Sequence, residues 1–521
     1  QAAYLAGVIR SPQRFQKERD PKAAVAIRDE VLKDMVAADF IDEKQRAATK
    51  RQDLLANIKK ASASADLDSP RAGYFVEFVR RSLEGDEFKI SEKDLLLGGL
   101  TVHTTLDLRM QDAAEAAVRK VMDKPDDPEV ALVAMDPQGN VRAMVGGRNV
   151  DDVARARDFN FAAAVAGQKN SGRPAGSAAK PITLATFVDQ GLSVRSVFTA
   201  PAELEITSKQ CRNKDGTPWK VSNFDNESLG SLEVLDATVK SANTVFAQMM
   251  DKVGPRKFAA MSDKLGLTVP KQDFGCALTL GTTPVQPIAL ARAYATFAGR
   301  GQRPQVLTIT KIVTPEGRVI AERGPKLDKV ISENIADTVN MALRENIRRG
   351  TGTGAKIGRP AAGKTGTTQN HVDAWFAGYT PELIGVVWMG FPPTGTPPKI
   401  AEMTNVHGRR VTGGSFPATI WKEFMTAALK GIKSTDFFEP QLLGEVLKPS
   451  PTPCPSAVAT ATPKPDLSNC LPSPTPSPVP SPVPSPSPSA RHTNRPPSPS
   501  PSPSPSPSPS PSPSPPPPKG P

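Results

Sequence analysis

The sequence predicts an α+β fold in which helices pack on an antiparallel sheet. Three observations lead there. EVALVAMDPQGNVRAMVGGR at 129–148 is two β-rich runs around the turn DPQGN. GRPAAGKTGTTQNHVDAWFAGYTPELIGVVWMGF at 358–391 reads as two or three further antiparallel strands. Between them, from Lys180 to about Gly299, helical segments alternate with loops. Strands, a long helical insertion, then strands is the order expected when helices are laid on an antiparallel sheet.

The elements follow in chain order. Residues 1–58 read as helices: DPKAAVAIRDEVLKDMVAADF has apolar positions at helical spacing, and DEKQ at 42–45 is a capping box. Residues 59–98 mix short helical and polar stretches and read as a linker. From there GGLTVHTTLD alternates like a strand, and LRMQDAAEAAVRKVMD is an amphipathic helix. QVLTITKIVTPEGRVIAE at 305–322 is another hairpin. The globular domain is read as 99–432 and a Pro/Ser-rich disordered tail as 433–521. Of the 55 prolines, 30 follow residue 448, and SPSPSPSPPPP can form neither a core nor a ladder. Such a tail suits a tether, or a segment that penetrates a wall.

Composition narrows the function. The formal charge is +12, and the residues after 448 hold four Lys/Arg and one Asp, which leaves +9 for the body. That excess fits attraction to an anionic surface and also plain solubility. No nucleic-acid module, finger spacing or aromatic-interleaved basic stripe occurs, so no nucleic-acid partner is expected. No run reaches membrane-spanning length, and no metal motif such as H-E-x-x-H is present. The chain has no initiator Met and reads as a fragment. With four histidines, His103, His371, His407 and His492, a lysine base is the favoured alternative to a histidine. The four cysteines leave Cys211–Cys276 and Cys454–Cys470 open as pairings, and sequence does not choose.

GRPAGSAAKPITLATF at 172–187 carries the chemistry. Proline is tolerated only in a first helical turn, so Pro181 places the helix start near Ser177. Ser177 and Lys180 then lie one turn apart on one face. The serine sits where free N–H groups and the positive end of the helix dipole gather, and the lysine beside it is pushed toward its neutral, basic form. Read alone, the pair is equally an N-cap and a surface charge. Two more motifs follow: SAN at 241–243 and KTGTT at 364–368, the latter on an expected strand. A second S-x-N, at Ser332–Asn334, reads better as a helix N-cap.

S-x-x-K, S-x-N and K-T-G in this order resemble the penicillin-binding proteins and the related β-lactamases. From about 99 to 430 the chain looks like the transpeptidase domain of a class A, bifunctional penicillin-binding protein. LGTTPVQPIALARAYATFAGRG and VTGGSFPATIWKEFMTAAL are typical of that family. AAYLAGVIRSPQRFQKERDPKAAVAIRDEVLKDMV resembles the end of its family 51 glycosyltransferase domain, and the ending and tail suggest an actinobacterial version. Where family members often read PGSSFKP, this chain has AGSAAKP, which keeps the serine, lysine and proline.

The resemblance implies D,D-transpeptidation through a serine acyl-enzyme. Ser177 is the nucleophile, Lys180 the base, Ser241 the proton relay, and Asn243 holds the peptide amide and Lys180. Lys364, Thr365 and Thr367 take the substrate carboxylate. Gly366 lets the substrate lie along the strand. The backbone N–H groups of Ser177 and Thr367 form the oxyanion hole. It implies no cofactor and no metal. Its partners are peptidoglycan stem peptides, lipid II-derived glycan, β-lactams and, through an anchor upstream, the outer face of the cell membrane. The competing expectations are a D,D-carboxypeptidase or β-lactamase on the same residues, and a β-lactam-binding sensor module. Asp373, Trp375 and His371 are read as closing a turn and packing the sheet, Arg173 as structural, and Trp219 and Trp388 as packing.

Overall fold

A computed structural model describes residues 2–9, 21–52, 72–149, 159–164, 172–395 and 399–448. Its centre is a five-stranded antiparallel sheet of β1 (Glu129–Met135), β2 (Val141–Val145), β3 (Ala362–Thr367), β4 (Asp373–Tyr379) and β5 (Ile384–Gly390). The spatial order is β3-β4-β5-β1-β2. β1 and β5 are buried at every position, which is why EVALVAM and IGVVWMG read as continuous apolar runs. Alternation divides them. Ala131, Val133 and Met135 face one core, and Val130, Leu132 and Ala134 face the other.

Helices cover both faces. One layer is α1 (Leu108–Val121) and α7 (Phe416–Ala428), whose Ala114, Val118, Trp421 and Phe424 are fully buried. The other holds α2 (Lys180–Asp189), α3 (Val234–Lys240), α4 (Asn243–Val253), α5 (Pro287–Ala298) and α6 (Glu333–Arg349). α2 contributes Leu184, Ala185 and Phe187 to the same core as α4 and α5, and all three are fully buried. The α+β reading and its three hairpins stand. The strands Ile309–Val313 and Val319–Glu322 form a separate small sheet with Thr101–Thr104.

Asp42 caps the helix Glu43–Lys50 with both bonds of the capping box, and Ser332 caps α6 by accepting from the N–H of Ile335. The helices Ala2–Val8 and Pro21–Ala37 pack through a small cluster of Tyr4, Ala24 and Ile27.

Two segments behave differently from the reading. Within the stretch taken as linker, the helix Gly73–Glu84 buries Tyr74, Phe75, Val79 and Leu83 in the main core, because those residues form one apolar stripe between its charges. At the other end the packed chain runs past residue 432 to Leu447. Phe437 lies 5.7 Å from the ring of Tyr379, and the N–H groups of Ser193 and Val197 donate to Glu445 O and Leu447 O at 2.8 Å each. The Pro/Ser tail beyond 448, with Cys454 and Cys470, lies outside the described residues.

Candidate active site

Ser177 sits in a tight turn. Gly176–Ala179 is one turn of 3₁₀ helix that runs into α2, with Pro181 in the first α-helical turn. Tyr294 of α5 donates its hydroxyl to Ala178 O at 2.8 Å and anchors the turn from below. The turn also nests against β3. Gly176 has φ +57°, and a Cβ there would come within 2.8 Å of Thr367 O. A Cβ on Gly366 would lie 2.2 Å from Ala175 O and 3.2 Å from the Ala178 side chain. This corrects one expectation: the space left by the missing Gly366 side chain is filled by the chain's own nucleophile turn, not by substrate. It also gives the small residues of AGSAA a reason, since larger side chains would hold turn and strand apart.

Lys180 is fully buried. Its Nζ donates to Ser241 O at 2.6 Å and Asn243 Oδ1 at 2.7 Å, and lies 3.1 Å from Ser241 Oγ. Ser241 ends α3 in the left-handed conformation, φ 59°, and this reversal aims both its carbonyl and its hydroxyl at the lysine. Asn243 starts α4, and its Nδ2 donates to Ser222 O at 2.8 Å, which fixes the orientation of the amide. Lys364 Nζ, also fully buried, donates to Ser241 Oγ at 2.9 Å. Ser241 therefore bridges two lysines.

Burial pulls the Lys180 amine well below its ordinary value, and the charge of Lys364 pulls it further. Burial lowers Lys364 to about 7. No carboxylate pairs with either lysine among the described residues. A neutral lysine has two N–H groups and one lone pair. The carbonyls of Ser241 and Asn243 take both N–H groups, so the lone pair is left for a hydroxyl. No hydrogen bond joins Lys180 Nζ to Ser177 Oγ; such contacts commonly tighten only once substrate is bound.

Ser177, Ser241, Asn243, Thr365 and Thr367 line one cleft of about 590 Å³, with Trp219 in its wall. Lys364 reaches the cleft through Ser241. Thr365 and Thr367 share a face of β3, the edge strand, as alternation requires. Their hydroxyls are already engaged: Thr365 Oγ1 lies 2.7 Å from Thr351 Oγ1, and Gly413 N donates to Thr367 Oγ1 at 3.1 Å. Thr351 and the Thr412–Gly414 loop were not singled out as site residues from sequence. The VTGG run was the available signal, and its place beside β3 is a long-range contact.

The remaining residues frame the site. Arg173 pairs with the buried Asp373 at 2.6 Å, and Trp388 Nε1 donates to the same carboxylate at 3.0 Å. Trp375 Nε1 donates to Pro174 O at 2.8 Å and His371 Nδ1 to Val411 O at 2.7 Å. The Arg173 and Trp375 contacts hold β4 against the segment leading to Ser177, and His371 ties the β3–β4 turn to Val411. The open cysteine question resolves in part: Cys211 is joined to Cys276, next to Ala277 and Leu280 of the cleft wall. Among the described residues, Asp123, Asp127 and His407 bring three potential ligand atoms within 4.8 Å of one another, and none of them lines the cleft.

Residues 130–425 match the family model described as the penicillin binding protein transpeptidase domain. The chain is 30% identical over 475 residues to penicillin-binding protein 1A of Mycobacterium tuberculosis, covering 85% of this chain and 53% of that protein. It is 30% identical over 406 residues to penicillin-binding protein 1B of Escherichia coli, covering 75% of this chain and 45% of that protein. The chain thus spans about half the length of the curated relatives it matches. The solved structure of the PonA1 protein from M. tuberculosis in complex with penicillin V superposes with a TM-score of 0.61 at 30% identity, covering 74% of this chain and 100% of that one.

Proposed function

Because the chain belongs to the penicillin-binding protein transpeptidase family, we propose that it is a serine D,D-transpeptidase that cross-links peptidoglycan stem peptides and is acylated by β-lactams. The observation that carries the reading is the buried Lys180, held by Ser241 and Asn243 one turn from Ser177 and linked to Lys364 through Ser241.

Ser177 Oγ attacks the carbonyl carbon of the penultimate D-alanine, and its proton passes to the lone pair of Lys180. The backbone N–H groups of Ser177 and Thr367 hold the oxyanion, each worth roughly 3 kcal/mol at the transition state. The C–N bond breaks, and the leaving D-alanine amine takes the proton from Lys180 through Ser241. An amine of a second stem peptide then attacks the acyl ester and gives its proton to Lys180, which passes it to Ser177 Oγ as the ester C–O bond breaks. Lys364 supplies positive charge for the substrate carboxylate beside Thr365 and Thr367. In a β-lactam the leaving amine stays tethered to the acyl group, so the ester persists.

In the same reading the N-terminal helices are the end of a glycosyltransferase domain, residues 59–98 connect it to the transpeptidase domain, and the glycan comes from lipid II. The protein acts at the outer face of the cell membrane, on an anchor supplied upstream of residue 1. No described helix is long and apolar enough to cross a membrane.

The test is labelling with a fluorescent penicillin beside Ser177→Ala, followed by mass mapping. A stable adduct on Ser177, absent in the variant, is expected. No adduct, or one elsewhere, would sink the assignment. Product analysis with an added amine acceptor separates transpeptidation from hydrolysis.

A further inference from the structure

We propose that Ala179 is a positioning residue for the acyl transfer: a cavity beside its methyl group lets the turn of Ser177 sit back from Lys180, and this sets how fast Ser177 is acylated. The inference rests on the acyl-transfer reading above and goes past it to what tunes the rate.

The turn is a partition between two spaces. Pro174 and Ser177 line the cleft, whereas Ala175 and Ala179 line a second cavity of about 30 Å³ behind it, and Gly281 borders both. Ile182 of α2, Phe258 of the helix Pro255–Lys264, Leu278 and Leu290 wall the rear cavity, and all four are buried. Its volume is room for about one or two water molecules, yet these walls are apolar. On another wall the Thr283 hydroxyl is buried with no hydrogen-bond partner among the described residues. The space is therefore suited to a small apolar group, and the chain supplies none.

The turn is held unevenly. From Gly176 to Ala178 it is close-packed: against Thr367 and Gly366 of β3, against Gly281, and through the Tyr294 hydroxyl on Ala178 O at 2.8 Å. At Ala179 it borders the cavity, and atoms that face a void lose the contacts that would hold them. Lys180 does not share this freedom, since Ser241 O and Asn243 Oδ1 fix its Nζ at 2.6 and 2.7 Å. No hydrogen bond joins that Nζ to Ser177 Oγ, so the turn must come forward before the proton can pass. Ala175 already packs on Gly366, which leaves Ala179 as the position of the turn from which a larger side chain could occupy the cavity. It directly precedes Lys180, so filling the space from there bears on the separation of the two reacting groups. A misplacement of about 1 Å in such a pair is enough to cost a large factor in rate.

The experiment follows acylation by a fluorescent penicillin in stopped flow and separates the limiting rate at saturation from the half-saturating concentration. Ala179→Val adds two methyl groups, about the size of the space. It should raise the limiting rate about two- to tenfold and leave half-saturation unchanged. Thr283→Ile fills the same cavity from another wall, replaces the unpartnered hydroxyl, and should act in the same direction. Ile182→Val enlarges the cavity by one methyl group and should lower the limiting rate. Circular dichroism checks that each variant is folded; should Ala179→Val not fold, the opposite shifts of Thr283→Ile and Ile182→Val decide. Limiting rates that ignore the size of the cavity, or that move only together with half-saturation, overturn the proposal. Penicillin labelling of Ser177 in the unmutated chain reports separately: a missing label overturns the acyl-transfer reading itself, whereas a label with unmoved limiting rates overturns the role of Ala179 alone.

Discussion

Two buried charged regions sit on either side of the nucleophile turn and are built in opposite ways. Arg173 and Asp373 form a tight pair that further hydrogen bonds complete. Lys180 and Lys364 are fully buried, and their hydrogen bonds go only to hydroxyls, carbonyls and an amide among the described residues. In the pair, opposite charges offset each other. The lysines have no such partner, and burial and the charge of Lys364 pull Lys180 toward its neutral form. The first arrangement holds a turn in place. The second favours the basic form of Lys180, at a cost in stability.

The largest expected effect breaks the lysine side. Lys180→Met should slow acylation of Ser177 by penicillin about 10²–10⁴-fold, the range of a lost general base. Stopped-flow acylation reads it, and an unchanged rate would remove Lys180 from the mechanism. Next comes the ion pair. Asp373→Ala leaves Arg173 with no carboxylate and should destabilise the chain by about 3–5 kcal/mol in denaturant unfolding. Arg173→Met with Asp373→Leu should recover most of that loss. If the single and double variants unfold alike, the pair is not what secures the turn.

Titration sharpens the contrast. Lys364 has an ordinary value of 10.5 and stands at about 7 in the folded chain. Between those values the unfolded chain holds a proton that the folded chain has released, so stability rises with pH across that window. Lys364→Met should reduce this slope in melts taken from pH 7 to 10.5, leaving the part that Lys180 contributes, and an undiminished slope would place its origin elsewhere. If Lys364 receives the carboxylate as proposed, the second-order rate of acylation by an anionic penicillin should fall as pH climbs through about 7, where that charge is lost. The smallest effect belongs to a neutral contact. Tyr294→Phe removes the hydroxyl bonded to Ala178 O and should cost about 1 kcal/mol. A null result would mean the turn is held by β3 alone.

Much was legible because it is local. Pro181 put the helix start near Ser177, DEKQ announced a cap, and Ser332 was recognisable as the N-cap of α6. Each rests on contacts a few residues apart, where propensity and hydrogen-bond geometry act directly. The apolar runs of β1 and β5 and the hairpin turns are of the same kind. The order of SAAK, SAN and KTG named the residues that meet.

What the sequence alone determined is thus the set of elements, the candidate site residues and the family. Tertiary structure decided how they meet. Lys180 reaches Ser241 and Asn243 across 61 and 63 residues, and Lys364 reaches Ser241 across 123. Those separations leave no periodic trace. The same holds for Gly366 against Ala175, Thr351 beside Thr365, the Cys211–Cys276 bond, and the burial of the helix Gly73–Glu84. The lowered lysine values are decided there too: a side chain carries its ordinary affinity for protons until packing takes away its water, and only the folded core does that.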